Sequence, residues 1–118
     1  MDERQALAAF AALSQDTRLK IIRLLVTAGP EGMASGAIAD AAGVSASNVS
    51  FHLKELAQAG LATTRREARS IIYVADYAAL SGLIAFLMRD CCQGHPEVCT
   101  PAITALSECG CTAAMEPA

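Results

Sequence analysis

The stretch Ser35-Gly36-Ala37-Ile38-Ala39-Asp40-Ala41-Ala42-Gly43-Val44-Ser45-Ala46-Ser47-Asn48-Val49-Ser50-Phe51-His52-Leu53-Lys54-Glu55-Leu56-Ala57-Gln58-Ala59-Gly60 decides the fold. Ser35 is placed to cap a short helix that carries Ile38, Ala39 and Ala42. Gly43 then stands where a helix C′ glycine belongs. Val44 bridges a tight turn to Ser45, a good N-cap for a helix running to about Ala59, and Gly60 stops it. Two short helices around a glycine-containing turn make a helix-turn-helix pattern.

Downstream the period changes. Leu61–Thr64 reads as a strand, Arg65–Arg69 as a charged turn and Ser70–Val74 as a second strand, so a hairpin wing follows the motif. Upstream, residues 3–13 predict a helix with Leu7, Phe10 and Leu13 in step. Ser14, Asp16 and Thr17 are break and cap signals for a second helix to about Val26. Its wide apolar side, with Leu19, Ile22 and Val26 broadened by Ile21, Leu24 and Leu25, predicts a buried helix, and Thr27–Gly32 reads as a loop. Asp76 can cap a last long helix to about Cys92, with Leu80, Leu83, Ile84, Leu87 and Met88 along a stripe. Pro101–Cys109 reads as a short helical turn and Thr112–Ala118 as a frayed tail. The fold class is therefore mainly α with a β-hairpin, a winged helix-turn-helix. Residues 1–92 are expected to form the winged-helix domain, and 93–118 a cysteine-containing tail.

The 118 residues suit one domain, and a hydrophobic content of 53% with no Trp suits a helical one. A net charge of −3 does not advertise nucleic-acid binding, so distribution matters more. From Ser45 to Ala75, Lys54, Arg65, Arg66 and Arg69 outnumber Glu55 and Glu67. Such a local basic patch suffices for phosphate contact. Asp2 and Glu3 occupy the place of a basic leader, and no apolar run approaches the ~18 residues of a membrane span. A cytoplasmic protein with no membrane partner is expected, its thiols reduced. No nucleophile–base set or phosphate loop is present, so an enzyme is not expected.

On a helical wheel, Val49, Leu53 and Leu56 face the core, while Ser47, Phe51, Lys54 and Gln58 point away, flanked by Asn48, Ser50 and His52. A recognition helix reads bases with its N-terminal residues. The expected DNA-binding set is Ser45, Ser47, Asn48, Ser50, Phe51, His52 and Lys54, with Arg65, Arg66 and Arg69 from the wing. Asn can bond adenine bidentately, Phe can meet a thymine methyl, and Arg suits phosphate. A Ser/Asn-rich helix start also serves as a cap, three turn arginines as a solvated face, and His52 as a core-edge residue.

Ser14-Gln15-Asp16-Thr17-Arg18-Leu19-Lys20-Ile21-Ile22, the run Ser45–Leu56, Ala59-Gly60-Leu61 and a wing ending at Tyr73 together resemble the ArsR/SmtB family of metal-responsive repressors. The resemblance covers roughly residues 5–90. It implies a homodimer that binds an operator palindrome in double-stranded DNA and leaves it when metal binds. It also implies that the first and last helices pair the subunits, here through Leu7, Phe10, Leu80, Leu83, Ile84 and Leu87. Ala68 stands where the family usually has Gly, which predicts a differently shaped wing tip.

Five cysteines lie between Cys91 and Cys111 and none before them, which reads as soft-ligand or redox chemistry rather than a disulfide scaffold. Met33-Ala34-Ser35-Gly36 lacks the thiols that many arsenic sensors of the family carry there, and His52 and His95 are too few for a zinc site on the last helix. Cys91, Cys92 and Cys99 remain. Three thiolates suit trivalent arsenic or antimony, which forms three bonds and keeps a lone pair. Adjacent cysteines diverge by about 100° on a helix, so convergence requires the helix end to unwind near Gly94 and Pro96. The pattern is similar to arsenite repressors of the family that bind at the end of the last helix. Cys109 and Cys111 could supply a ligand, bridge a dimer or do nothing. A thiol redox switch, a zinc or cadmium site using His95, and a metal-buffering protein remain alternatives.

Overall fold

The computed structural model describes residues 1–89, 97, 100–101 and 104–105. Helix α1 (Glu3–Leu13) starts at Asp2, whose carboxylate accepts from the Gln5 N–H at 2.8 Å. The Gln5 side chain accepts from the Asp2 N–H at 2.9 Å, which completes a reciprocal capping box. The buried side of α1 is Ala6, Ala9 and Ala12, and the large residues Leu7 and Phe10 are exposed. An alanine face lets the helix approach its neighbours closely and leaves its bulk outside.

Helix α2 (Asp16–Ala28) is capped by Gln15, not by its Ser, Asp or Thr neighbours; the Gln15 side chain accepts from the Arg18 N–H at 2.8 Å. Ile21, Ile22 and Leu25 are buried, but Leu19 and Val26 are exposed. The expected buried helix is thus a two-sided one. It also runs further than expected, and a 3₁₀ turn (Gly29–Glu31) replaces part of the predicted loop. Strand β1 (Met33–Ala34) was not foreseen. Ser35 begins α3 (Ser35–Ala42) from inside it, and the N-cap place belongs to Ala34, which makes no side-chain cap bond. Gly43 ends α3 in the left-handed conformation, with φ of 73°. Helix α4 (Ala46–Gln58) follows from Ser45, whose hydroxyl accepts from the Asn48 N–H at 3.2 Å.

The chain then forms β2 (Ala62–Glu67) and β3 (Ser70–Ala75). The antiparallel sheet has the order β1-β3-β2, with Ala62 opposite Ala75, Glu67 opposite Ser70 and Met33 opposite Tyr73. The expected five-residue turn is therefore only Ala68-Arg69. Ala68 has φ of 55°. The wing tip keeps a backbone that glycine adopts freely, so the cost of alanine is strain rather than altered shape.

Helix α5 (Tyr77–Met88) is capped by Asp76, whose carboxylate accepts from the Ala79 N–H at 2.9 Å. The Asp76 N–H in turn donates to the Leu61 carbonyl at 2.9 Å, which fixes where the sheet hands over to the helix. The chain forms two compact units, Met1–Ile84 and Ala85–Ala118. The predicted extension of the last helix to Cys92 and the Thr112–Ala118 tail lie outside the described residues, as does most of the predicted turn Pro101–Cys109. Among the described residues, no helix is long and apolar enough to cross a membrane.

The core of the first unit joins Ile21 and Leu25 of α2, Ile38 of α3, and Leu53 and Leu56 of α4 with Leu61, all fully buried. Each such side chain contributes about 1.5–3 kcal/mol through burial. Gly32 lies so close to β3 that a Cβ would stand 2.5 Å from the Tyr73 carbonyl oxygen and 2.7 Å from Ile72 Cγ2, and its φ is +70°. Gly32→Ala is expected to cost about 3 kcal/mol, from clash and left-handed strain together. Ala68→Gly is expected to gain about 0.5–1 kcal/mol by relieving the tip. Urea unfolding followed by circular dichroism checks both signs.

Candidate nucleic-acid interface

One side of α4 is spent on the core: Val49, Leu53 and Leu56 are buried. The helix rotation this imposes turns Ser47, Asn48, Ser50, Phe51, Lys54 and Gln58 to solvent. The outer face is thus the expected one. Ser45 is engaged in capping, and its hydroxyl lies 3.4 Å from that of Ser47. The Asn48, Ser50 and Lys54 side chains make no hydrogen bond or ion pair with other described residues. Free backbone N–H groups in the first turn of a helix favour a phosphate, and small polar side chains there permit close approach to base edges. Phe51 is 54% exposed, and its inner side packs edge-on against the His52 ring.

His52 corrects the expectation. It is only 6% exposed and is the one buried polar side chain among the described residues. Arg18 Nη1 lies 3.2 Å from its Nδ1. Val49, His52, Leu53 and Leu56 share one helical stripe, so His52 supports the helix from its buried side.

The wing arginines divide. Arg65 donates from Nη1 to the Pro30 carbonyl and from Nη2 to the Glu31 carbonyl, both at 2.8 Å. Its Nε donates to Glu67 Oε2 at 3.0 Å. These bonds clasp the middle of the wing to the 3₁₀ turn and give Arg65 a structural role, with its side chain still 44% exposed. Arg66 and Arg69 make no hydrogen bond or ion pair with other described residues. Arg66 pairs with Ile71 across the hairpin, on the sheet face opposite to Arg65. Two free cations at the tip of a hairpin beside α4 suit the DNA backbone or a narrow minor groove.

Of the residues expected to pair subunits, Leu7, Phe10, Ile84 and Leu87 are exposed and Leu80 is half-buried. Leu83 is buried at 6% within the single chain and belongs to its own core. Cys91, Cys92, Cys99, Cys109 and Cys111 lie outside the described residues. Among the described residues, no group of three or more His, Cys, Asp or Glu could hold a metal ion. Sequence reasoning missed Arg18 as the partner of His52, although it sits inside the quoted run Ser14–Ile22.

The helix-turn-helix with its clasped wing defines a winged-helix protein of the DNA-binding class. Residues 13–65 match the model of a family described as Helix-turn-helix domain. The chain is 34% identical over 88 residues to the HTH-type transcriptional regulator YgaV of Escherichia coli, covering 75% of this chain and 87% of YgaV. It is 38% identical over 61 residues to the regulator YceK of Bacillus subtilis, covering 52% of this chain but only 60% of YceK. An ArsR-like transcriptional regulator from Rhodococcus sp. RHA1 superposes with a TM-score of 0.68 at 26% identity, covering 86% and 93% of the two chains. A homodimeric winged helix-turn-helix DNA-binding domain from Mycobacterium bovis gives 0.59 at 28% identity, covering 72% and 77%. The chain belongs to the ArsR-like family of HTH-type transcriptional regulators.

The two kinds of wing arginine should separate experimentally. Arg66→Ala and Arg69→Ala are expected each to lower the slope of log affinity against log salt by about 0.9 for duplex DNA, with unfolding unchanged. Arg65→Ala is expected to leave that slope intact and to cost about 1 kcal/mol of stability. Fluorescence anisotropy across a salt series, beside urea unfolding, checks both.

Proposed function

We propose that the chain is a homodimeric transcriptional repressor that grips double-stranded operator DNA with α4 and the wing, and releases it when trivalent arsenic or antimony binds its cysteine thiolates. The observation that carries the DNA-binding part is the division of α4. Its inner stripe is buried and its outer stripe of Ser47, Asn48, Ser50, Phe51 and Lys54 is exposed, while Arg66 and Arg69 near the wing tip are exposed and make no ion pair with other described residues. Small polar groups choose the base sequence, and the cations supply affinity.

Pairing of two copies is supported by apolar bulk that one chain leaves uncovered. Leu7 is 63% exposed on α1 and Ile84 51% on α5. The Mycobacterium bovis relative is described as homodimeric. A two-fold axis would set two recognition helices about one DNA turn apart, which a palindromic operator requires.

The sensing part rests on the donor set. Thiols at 91, 92 and 99, with a further pair at 109 and 111, offer soft ligands in the number a three-coordinate thiophilic ion needs. A reducing cytoplasm would keep them available. Binding there need change operator affinity by only a few kcal/mol to empty the site.

A gel shift with a duplex selected by the wild-type chain from a random-sequence pool tests the whole reading. Arsenite should release the wild type, whereas Cys91→Ser and Cys92→Ser should stay bound. Unchanged release from both variants would reject the thiol site. Release by peroxide but not by arsenite would replace metal sensing with a redox switch. Failure of the wild type to retard any duplex at low salt would reject the repressor.

A further inference from the structure

We propose that Arg18 and His52 are positioning residues for base reading, tying the C-terminal end of α1 to the recognition helix α4. This inference rests on the DNA-binding reading above and deepens it. Arg18 Nε donates to the Ala12 carbonyl at 2.7 Å, and Arg18 Nη1 lies 3.2 Å from His52 Nδ1. One guanidinium therefore holds two helices at once.

The chemistry of the contact fixes its direction. A guanidinium carries donors and no lone pair, so Nδ1 must accept, and the neutral ring carries its proton on Nε2. At the other end, Ala12 lies in the last turn of α1, where carbonyls lack intrahelical partners. Helix α1 has no basic residue of its own in that turn. Arg18 supplies the missing cation from the next helix, where it complements the negative end of the α1 dipole.

Beside the packed alanines of α1, the α1–α4 seam opens to the surface. A cleft of about 330 Å³ opens there, with Ala8, Ala11 and Ala12 from α1 and Glu55 and Gln58 from α4 among its walls, and Arg18 at its edge. Along this open edge the guanidinium is a polar tie between the two helices. The bridge also reaches the outer face. The His52 ring meets the Phe51 ring edge-on, with centroids 5.3 Å apart and planes at 67°, and Phe51 projects into solvent. A movement of α1 would thus pass from the Ala12 carbonyl through Arg18 and His52 to the face that meets DNA.

The test compares affinity for a duplex selected from a random-sequence pool by the wild-type chain with affinity for a scrambled duplex of equal length. Anisotropy gives the ratio, and circular dichroism melts confirm the fold. Arg18→Met and His52→Leu are each expected to lower the ratio about tenfold, the scale of one charge-assisted hydrogen bond. Affinity for the scrambled duplex should hold, because the phosphate-binding cations are untouched. His52→Asn, which keeps an acceptor near the Nδ1 position, should retain most of the preference. The double variant should be no worse than either single one, since both cut the same link. If Arg18→Met does not fold, Arg18→Lys takes its place, because one ammonium cannot reproduce the guanidinium's two-ended bridge. Wild-type ratios in folded Arg18 and His52→Leu variants would overturn the proposal. So would equal losses in His52→Asn and His52→Leu, or additive losses in the double variant. A wild type with no preference for any duplex would remove the DNA-binding reading and this one together.

Discussion

Burial of Val49, Leu53 and Leu56 fixes how α4 is rotated about its own axis. A helix has one such freedom, and three aliphatic side chains driven out of water remove it. Once they are inside, the side chains between them have no choice of direction. Gly43 and Ser45 then set where the helix begins: the glycine permits the left-handed turn out of α3, and the serine satisfies the first turn of α4. The polar face is therefore a by-product of core packing, and its presentation is as stable as the core itself.

The same economy governs α1. Its alanines go inward and its large residues outward, the reverse of an ordinary surface helix. Helix α5 is apolar nearly throughout, and only Leu83 is buried. These two helices leave large apolar side chains on the surface, while the core draws its large aliphatics from α2, α3 and α4.

Most of the fold was legible in the sequence because its elements are long enough to show a period and carry punctuation at their ends. The helices at 3–13 and 46–58 and the hairpin show this best. What could not be read has particular causes. Strand β1 has two residues, too few for any alternation, and is defined only by its partner β3. The wing arginines are chemically identical in sequence, yet Arg65 faces the 3₁₀ turn and Arg66 the other side. Only the register, set by where Ala68 and Arg69 turn, distinguishes them. The breadth of the apolar side in α2 concealed that Leu19 and Val26 fall on the far face. His52 was legible, since its spacing from Val49 and Leu56 already placed it on the inner stripe; its polarity obscured that. The cysteines are read from their spacing alone, whereas the exposed face of α4 is read from both sequence and structure.

The clasp at Arg65 has a mechanical meaning. A hairpin held only by its own ladder bends along its length, but this one is pinned midway, at Arg65, to the turn that follows α2. From Arg65 to the tip is ~10 Å at ~3.3 Å per strand residue, so a pivot of ~10° at that clasp would swing the tip by ~2 Å. Gly29–Glu31 therefore acts as the fulcrum of a lever. An insertion there, in what looks like an ordinary surface connection that should tolerate added length, would re-aim Arg69 without altering a single residue of the wing.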